Sequence, residues 1–169
     1  MRNSRGEACH CPRRFKHHDL RFYTGRGSAN VRLVRTTDEA ELTFQQAEEA
    51  REKARDDVAK EKAAQLYRRA LELRPTFSAA HVGLARVLLD LNDYREALAE
   101  ISLARLARPI YPEASAVEGR IQRAAAFENE AIESYRRAIK EARGFQPEAH
   151  TGLAIVLEDK GKLAEAAEE

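Results

Sequence analysis

Two cysteines and three histidines near the start are the first residues that could do chemistry. Cys9-His10-Cys11, with His17 and His18, offers thiol and imidazole groups of the kind that hold zinc. Zinc sites usually separate paired cysteines by about two to four residues. Here one residue intervenes, so no metal site is expected. The same two cysteines stand too close along the chain to staple a fold by a disulfide.

His81 and His150 invite a catalytic reading, as do the acids Glu48, Glu49, Asp56 and Asp57. General base catalysis needs a partner that recurs with the histidine, and no serine, cysteine or carboxylate does so. The acids lie in a stretch dense in both charges, where a solvated helix face accounts for them. No phosphate loop, nucleophile elbow or dinucleotide fingerprint occurs in the chain. The expectation is therefore a protein that is not an enzyme and uses no cofactor.

The elements that must position these residues fall into two parts. Residues 1–36 hold nine arginines and lysines against Glu7 and Asp19, while the remainder holds 20 basic residues against 26 acidic ones. The net charge of +1 conceals that split. Gly6, Pro12, Gly25 and Gly27 interrupt every helical pattern in the basic part. Arg21-Phe22-Tyr23 and Val31-Arg32-Leu33-Val34-Arg35 are candidate short strands, but disorder is expected for 1–36, since little apolar surface offsets chain entropy. The arm lacks the apolar core of a secretory signal, and no apolar run approaches a membrane span. Those features point to a cytoplasmic protein.

From residue 37 the pattern becomes helical. Thr36, Thr37 or Asp38 can cap the first helix. Breaks are expected at Arg74-Pro75-Thr76, Leu91-Asn92-Asp93, Arg108-Pro109, Phe127-Glu128-Asn129, Gly144 to Pro147 and Lys160-Gly161. A period of 34 runs through Ala63, Ala97 and Ala131, through Ala70, Ala104 and Ala138, and through Tyr67, Ile101 and Tyr135. A fixed period of this length means stacked supersecondary units.

Residues 78–111 carry Gly83-Leu84-Ala85, Leu88, the turn Asn92-Asp93-Tyr94, Glu96-Ala97, Ile101, Ala104 and Pro109. Residues 44–77 repeat the later half with Ala63, Leu66-Tyr67, Ala70-Leu71 and Leu73-Arg74-Pro75. Residues 112–146 follow with Gly119, Ala131-Ile132, Tyr135 and Ala138-Ile139, and one residue is inserted near Gly144. A partial copy, 147–169, holds His150, Gly152-Leu153-Ala154, Leu157, Gly161, Leu163 and Ala166. These copies resemble tetratricopeptide repeats over about three quarters of the chain. The resemblance implies an all-α, right-handed superhelical stack of antiparallel helix hairpins spanning 37–169.

Within a copy, Ala97 and Ala104 let the second helix lie close to the first, with Leu98, Ile101 and Leu103 filling the groove between them. The family's early aromatic is replaced by Ala47, His81, Ser115 and His150, and the periodicity of the two histidines points to packing. The family's mid-helix glycine survives as Gly119, with Arg51, Ala85 and Ala154 elsewhere. Arg51 implies a loosely packed first copy. The charged helix Phe44 to Lys60 suits a terminal cap, and the short fourth copy suggests a truncated array or an edge completed by a partner or by self-association.

The resemblance implies an interaction scaffold that holds a peptide or helix in a groove formed by the first helix of each hairpin. The register puts Val82, Arg86 and Leu89 in that groove from the second copy, Ala116, Arg120 and Arg123 from the third, and Thr151, Ile155 and Glu158 from the fourth. Guanidinium pairs bidentately with carboxylate, so an acidic protein or peptide partner is expected. The Lys and Asn pair with which family members clamp chaperone C-termini is absent, its places being taken by Val82 and Arg86. Two other functions stay open. The array could be the accessory repeat region of a larger enzyme such as a glycosyltransferase or sulfotransferase. Alternatively, the basic arm could bind nucleic acid through charge, though it also suits an acidic lipid surface, a targeting presequence or an untranslated start.

Overall fold

The computed structural model describes residues 19–24, 27–32 and 37–166. The chain divides into two compact units, Met1–Thr37 and Asp38–Glu169. In the first, β1 (Asp19–Thr24) pairs antiparallel with β2 (Gly27–Arg32) in a register that sets Asp19 opposite Arg32 and Thr24 opposite Gly27. This hairpin takes in Arg21-Phe22-Tyr23 and Val31-Arg32, within the arm for which disorder was expected. Leu33, Val34 and Arg35 lie outside the described residues.

The second unit is all helix: α1 (Glu39–Lys53), α2 (Asp57–Leu73), α3 (Ser78–Asp90), α4 (Tyr94–Ala107), α5 (Pro112–Ala124), α6 (Glu128–Glu141), α7 (Pro147–Asp159) and α8 (Leu163–Ala166). Consecutive helices pack on each other, and α5 also touches both α3 and α7 directly, as α1 touches α3. The first helices of the copies thus share one face.

The first hairpin departs from the expected bounds. Its opening helix does not run from Phe44 to Lys60; α1 starts at Glu39 and stops at Lys53. The Asp38 carboxylate accepts from the N–H groups of Ala40 and Glu41, which satisfies the free donors of the first turn. Acids at Glu39 and Glu41 and bases at Arg51 and Lys53 both suit the helix dipole. Asp56 then caps α2, accepting from the Ala59 N–H at 2.7 Å, while Asp57 pairs with Lys60 at 2.7 Å. These two acids start a helix.

The other breaks fall where the residues require them, with one shift. The turn between α5 and α6 spans Ala125 to Phe127, one helical step before the expected place. Asn92, Ala126 and Gly161 occupy equivalent turn positions, and all three are left-handed, with φ of 66°, 63° and 73°. Each turn closes with the same long-range bond: Asp93 N–H to Leu88 O at 2.9 Å, Phe127 N–H to Gln122 O at 2.8 Å, and Lys162 N–H to Leu157 O at 2.9 Å. Pro112 and Pro147 open α5 and α7, where a missing N–H costs nothing.

The alanines of the repeat are the floor of the core. Ala63, Ala70, Ala97, Ala104, Ala131 and Ala138 are all fully buried. Ile101 is buried and Leu98 partly so, but Leu103 stands on the outer surface at 46% exposure and fills nothing. The largest buried side chains are Tyr67 and Tyr135. Each drives a neighbour to be glycine. A Cβ on Gly83 would lie 2.4 Å from the Tyr67 ring, and one on Gly152 would lie 2.3 Å from the Tyr135 ring. Gly119 meets Tyr135 from the other side, at 2.8 Å. In the second copy Ile101 replaces the tyrosine, and the equivalent neighbours become Ala85 and Val117. Volume is thereby conserved from junction to junction.

Candidate functional site

The face shared by α1, α3, α5 and α7 carries the residues expected to bind, but it is built differently from the expectation. Val82 is 2% exposed and Leu89 is 7% exposed, so both are core residues held between neighbouring helices. Ala116 is fully buried as well. Arg86 is partly exposed, Arg120 and Arg123 are exposed, and Thr151 and Glu158 are open to solvent.

Arg86 is held by two carboxylates. Its Nη1 lies 3.1 Å from Glu113 Oε1 and its Nη2 lies 3.0 Å from Glu148 Oε2. Arg120 reaches two as well, at longer range: Nη2 to Asp90 Oδ1 at 3.7 Å and Nη1 to Glu148 Oε1 at 3.8 Å. Glu148 therefore lies between the two guanidinium groups, with one oxygen toward each. The face is not a bare cationic strip; it is an ordered alternation of arginine and carboxylate across α3, α5 and α7. The sequence carried a signal for the acids. Glu113 and Glu148 each follow the proline that opens a first helix, at the same repeat position.

The α1 end of the face has its own cluster. The Tyr67 hydroxyl donates to Glu48 Oε1 at 2.5 Å, Arg51 Nη2 donates to Glu48 Oε2 at 2.8 Å, and Arg51 Nε donates to the Tyr67 oxygen at 3.3 Å. Arg51 thus does not loosen the first copy. Its guanidinium occupies the glycine's place by hydrogen bonding to the tyrosine that Gly83 admits. Burial would raise the Glu48 carboxyl, but hydrogen bonds from Arg51 and Tyr67, with Arg51 and Arg86 charges nearby, outweigh it and hold it below its ordinary value. Tyr67 moves the other way, raised first by burial and then by its bond to Glu48. At the far end, Tyr135 is likewise raised by burial, against a hydrogen bond with Arg123 that lowers it.

The two tandem histidines are structural. His81 is buried, its Nδ1 lying 2.6 Å from Glu100 Oε2 and its Nε2 lying 2.9 Å from Pro75 O. His150 repeats the second contact, with Nε2 lying 2.8 Å from Gly144 O. In the third copy Ser115 takes this place, donating to Glu141 at 2.8 Å and accepting from Arg105, which also pairs with Glu141. All three positions fasten the start of a first helix to its neighbours.

Among the described residues, no group of His, Cys, Asp and Glu is arranged to hold a metal ion. Cys9, Cys11, His17 and His18 lie outside those residues. No helix of the described residues is long and apolar enough to cross a membrane. An open pocket of about 1020 Å3 lies away from the arginine face, lined by Tyr94, Leu98, Ala125 and Phe127 among others.

Two models of the tetratricopeptide repeat match the chain, over residues 61–126 and 117–169. No curated protein sequence matches it. Solved structures do. The Sgt2 TPR domain from Aspergillus fumigatus superposes with a TM-score of 0.66 at 22% identity, over 79% of this chain and 84% of that one. MamA from Desulfovibrio magneticus RS-1 gives 0.64 at 20% identity, over 78% and 72%. The first TPR of Spaghetti (RPAP3), bound to the HSP90 peptide SRMEEVD, gives 0.65 at 16% identity, over 75% and 96%. At these identities the likeness is one of fold. With the register of copies, the helix pairing and both repeat models in agreement, the chain belongs to the tetratricopeptide-repeat family.

Proposed function

We propose that the array is a protein-interaction scaffold that takes an acidic peptide or helix along the face of α1, α3, α5 and α7. One observation carries this reading. Arg120 is 45% exposed, and its two ion pairs stand at 3.7 and 3.8 Å, beyond hydrogen-bond length. A guanidinium fork with free donor geometry, next to Arg86 and near Arg123, suits the bidentate capture of carboxylate. Val82 and Leu89 are core residues, so recognition falls to the charged positions. That the similar fold of RPAP3 has been solved with the HSP90 peptide SRMEEVD supports peptide binding as a use of such a frame. Stacked helices with a common core would take the ligand with little backbone change.

A pull-down comparing the wild-type chain with Arg86→Ala plus Arg120→Ala tests the reading. Loss of the captured partners in the double variant is expected. Equal capture of the same partners by both proteins overturns it.

A further inference from the structure

Resting on that reading, we infer that Glu148 is an internal stand-in for the ligand: an acidic peptide docks on Arg86 and Arg120 by taking the place of the Glu148 carboxylate.

The geometry is that of an occupied acceptor position. Glu148 turns Oε2 to Arg86 at 3.0 Å and Oε1 to Arg120 at 3.8 Å, so a single carboxylate spans two guanidinium groups on neighbouring helices. The hold is uneven. The Arg86 contact is a hydrogen bond, and the Arg120 contact is not. Glu148 is itself 31% exposed, so an incoming group can reach it without opening the core. It sits in the first turn of α7, its own N–H bonded to Gln146 Oε1 at 3.2 Å, so this backbone anchor does not depend on the side chain's bond to Arg86.

The pattern of ion pairs shows what an exchange would change. With Glu148 in place, Arg86 and Arg120 share three carboxylates, those of Asp90, Glu113 and Glu148. When Glu148 turns out, Arg86 keeps Glu113 and Arg120 keeps Asp90, and the carboxylate they share is the one a ligand carboxylate replaces. A peptide with one acidic group exchanges like for like and gains nothing. A peptide with several gains through its further contacts, so the face selects for acidic runs over isolated acids. Glu148 is therefore a specificity-determining residue rather than a passive ion-pair partner.

The test uses a fluorescein-labelled hexaglutamate peptide with a free C-terminal carboxylate, read by fluorescence anisotropy at low salt. Removing the competitor with Glu148→Gln is expected to tighten binding by about fivefold, the worth of a partly exposed ion pair. Glu148→Asp, which keeps the charge, should bind as the wild type does. Glu133→Gln, an exposed acid on α6, controls for net charge and should not tighten binding. In the wild-type protein the carboxylate carbon resonance of Glu148 should shift as the peptide saturates.

If Glu148→Gln binds no more tightly than the wild type while Arg86→Ala plus Arg120→Ala loses the peptide, Glu148 is not the competitor and the arginine reading stands. A Glu148 resonance that stays unmoved at saturation likewise rules out Glu148 as the competitor. If the double arginine variant binds the peptide as well as the wild type, or if no form binds it, the arginine reading itself fails and this inference falls with it.

Discussion

Arg86 Nη2 lies 3.0 Å from Glu148 Oε2, a contact that joins α3 to α7 across 62 residues and skips the copy between them. Stacked repeats are usually described by intrinsic and nearest-neighbour terms alone. This pair adds a link between second neighbours. A double-mutant cycle with Arg86→Met and Glu148→Gln, measured by urea unfolding, should give a coupling of about 0.5–1 kcal/mol that falls as salt rises. A coupling of zero at low salt would mean that the pair holds nothing.

The tyrosine and glycine pairs make a sharper packing prediction. Gly152→Ala puts a methyl group 2.3 Å from the Tyr135 ring, which is buried and cannot swing aside. A loss of about 1–3 kcal/mol is expected. Gly152→Val should cost more. The triple change Tyr135→Ile, Gly119→Ala and Gly152→Val recreates the Ile101, Ala85 and Val117 set and should recover stability to within about 1 kcal/mol of wild type. Thermal unfolding decides this; if the triple variant is no better than Gly152→Val alone, the volumes are not matched as described.

Ala126 is the one of three equivalent turn residues that pays for its backbone. Asn92 and Gly161 tolerate a left-handed φ, whereas alanine at φ 63° is strained. Ala126→Gly should stabilise the array by about 0.5–1 kcal/mol, read as a higher urea midpoint with an unchanged slope. Asn92→Gly serves as the comparison and should change little. A destabilised Ala126→Gly would contradict the strain.

His81 makes stability depend on pH. Burial opposes its charge, but the bonds to Glu100 and to the Pro75 carbonyl prevail, and its pKa is raised. With Glu100 ionised, both acceptors require a ring hydrogen, so the bound form is the imidazolium. A raised folded pKa gives stability that is complete below the ordinary histidine value of about 6.5 and is lost as pH rises through the folded value. The stability gap between wild type and His81→Gln should therefore shrink from about pH 6 to about pH 9. A gap that is constant or widens over that range would refute the charged state.

The frame was legible in the residues because its signal is local and repeated. The alanine period, Tyr67 and Tyr135, and the Pro, Gly and Asn breaks each act within a turn or across one hairpin, and the helices fall accordingly. What escaped was set by side chains meeting across copies. Glu148 and Arg86 lie far apart in sequence, and nothing local couples them. Val82 and Leu89 follow the groove register, yet direct contact among α1, α3 and α5 closes over them. Asp56 looked like one acid among many; its role as a cap appears only once α1 is known to stop at Lys53. Arg51 read as a misfit because its hydrogen bonds to Tyr67 and Glu48 depend on a ring supplied by the next helix.

The alternation of tyrosine and isoleucine gives the array a hidden unit of two. Tyr67 with Gly83 and Tyr135 with Gly152 are one kind of joint, and Ile101 with Val117 is the other. Deleting one copy, or duplicating it, would set a tyrosine ring against a valine or leave a glycine facing an isoleucine. Both errors disappear when two copies are moved together. By this rule of joints, the modules that can be shuffled, grafted or recombined without repacking are pairs of hairpins, so the array is interchangeable in steps of about 68 residues rather than 34.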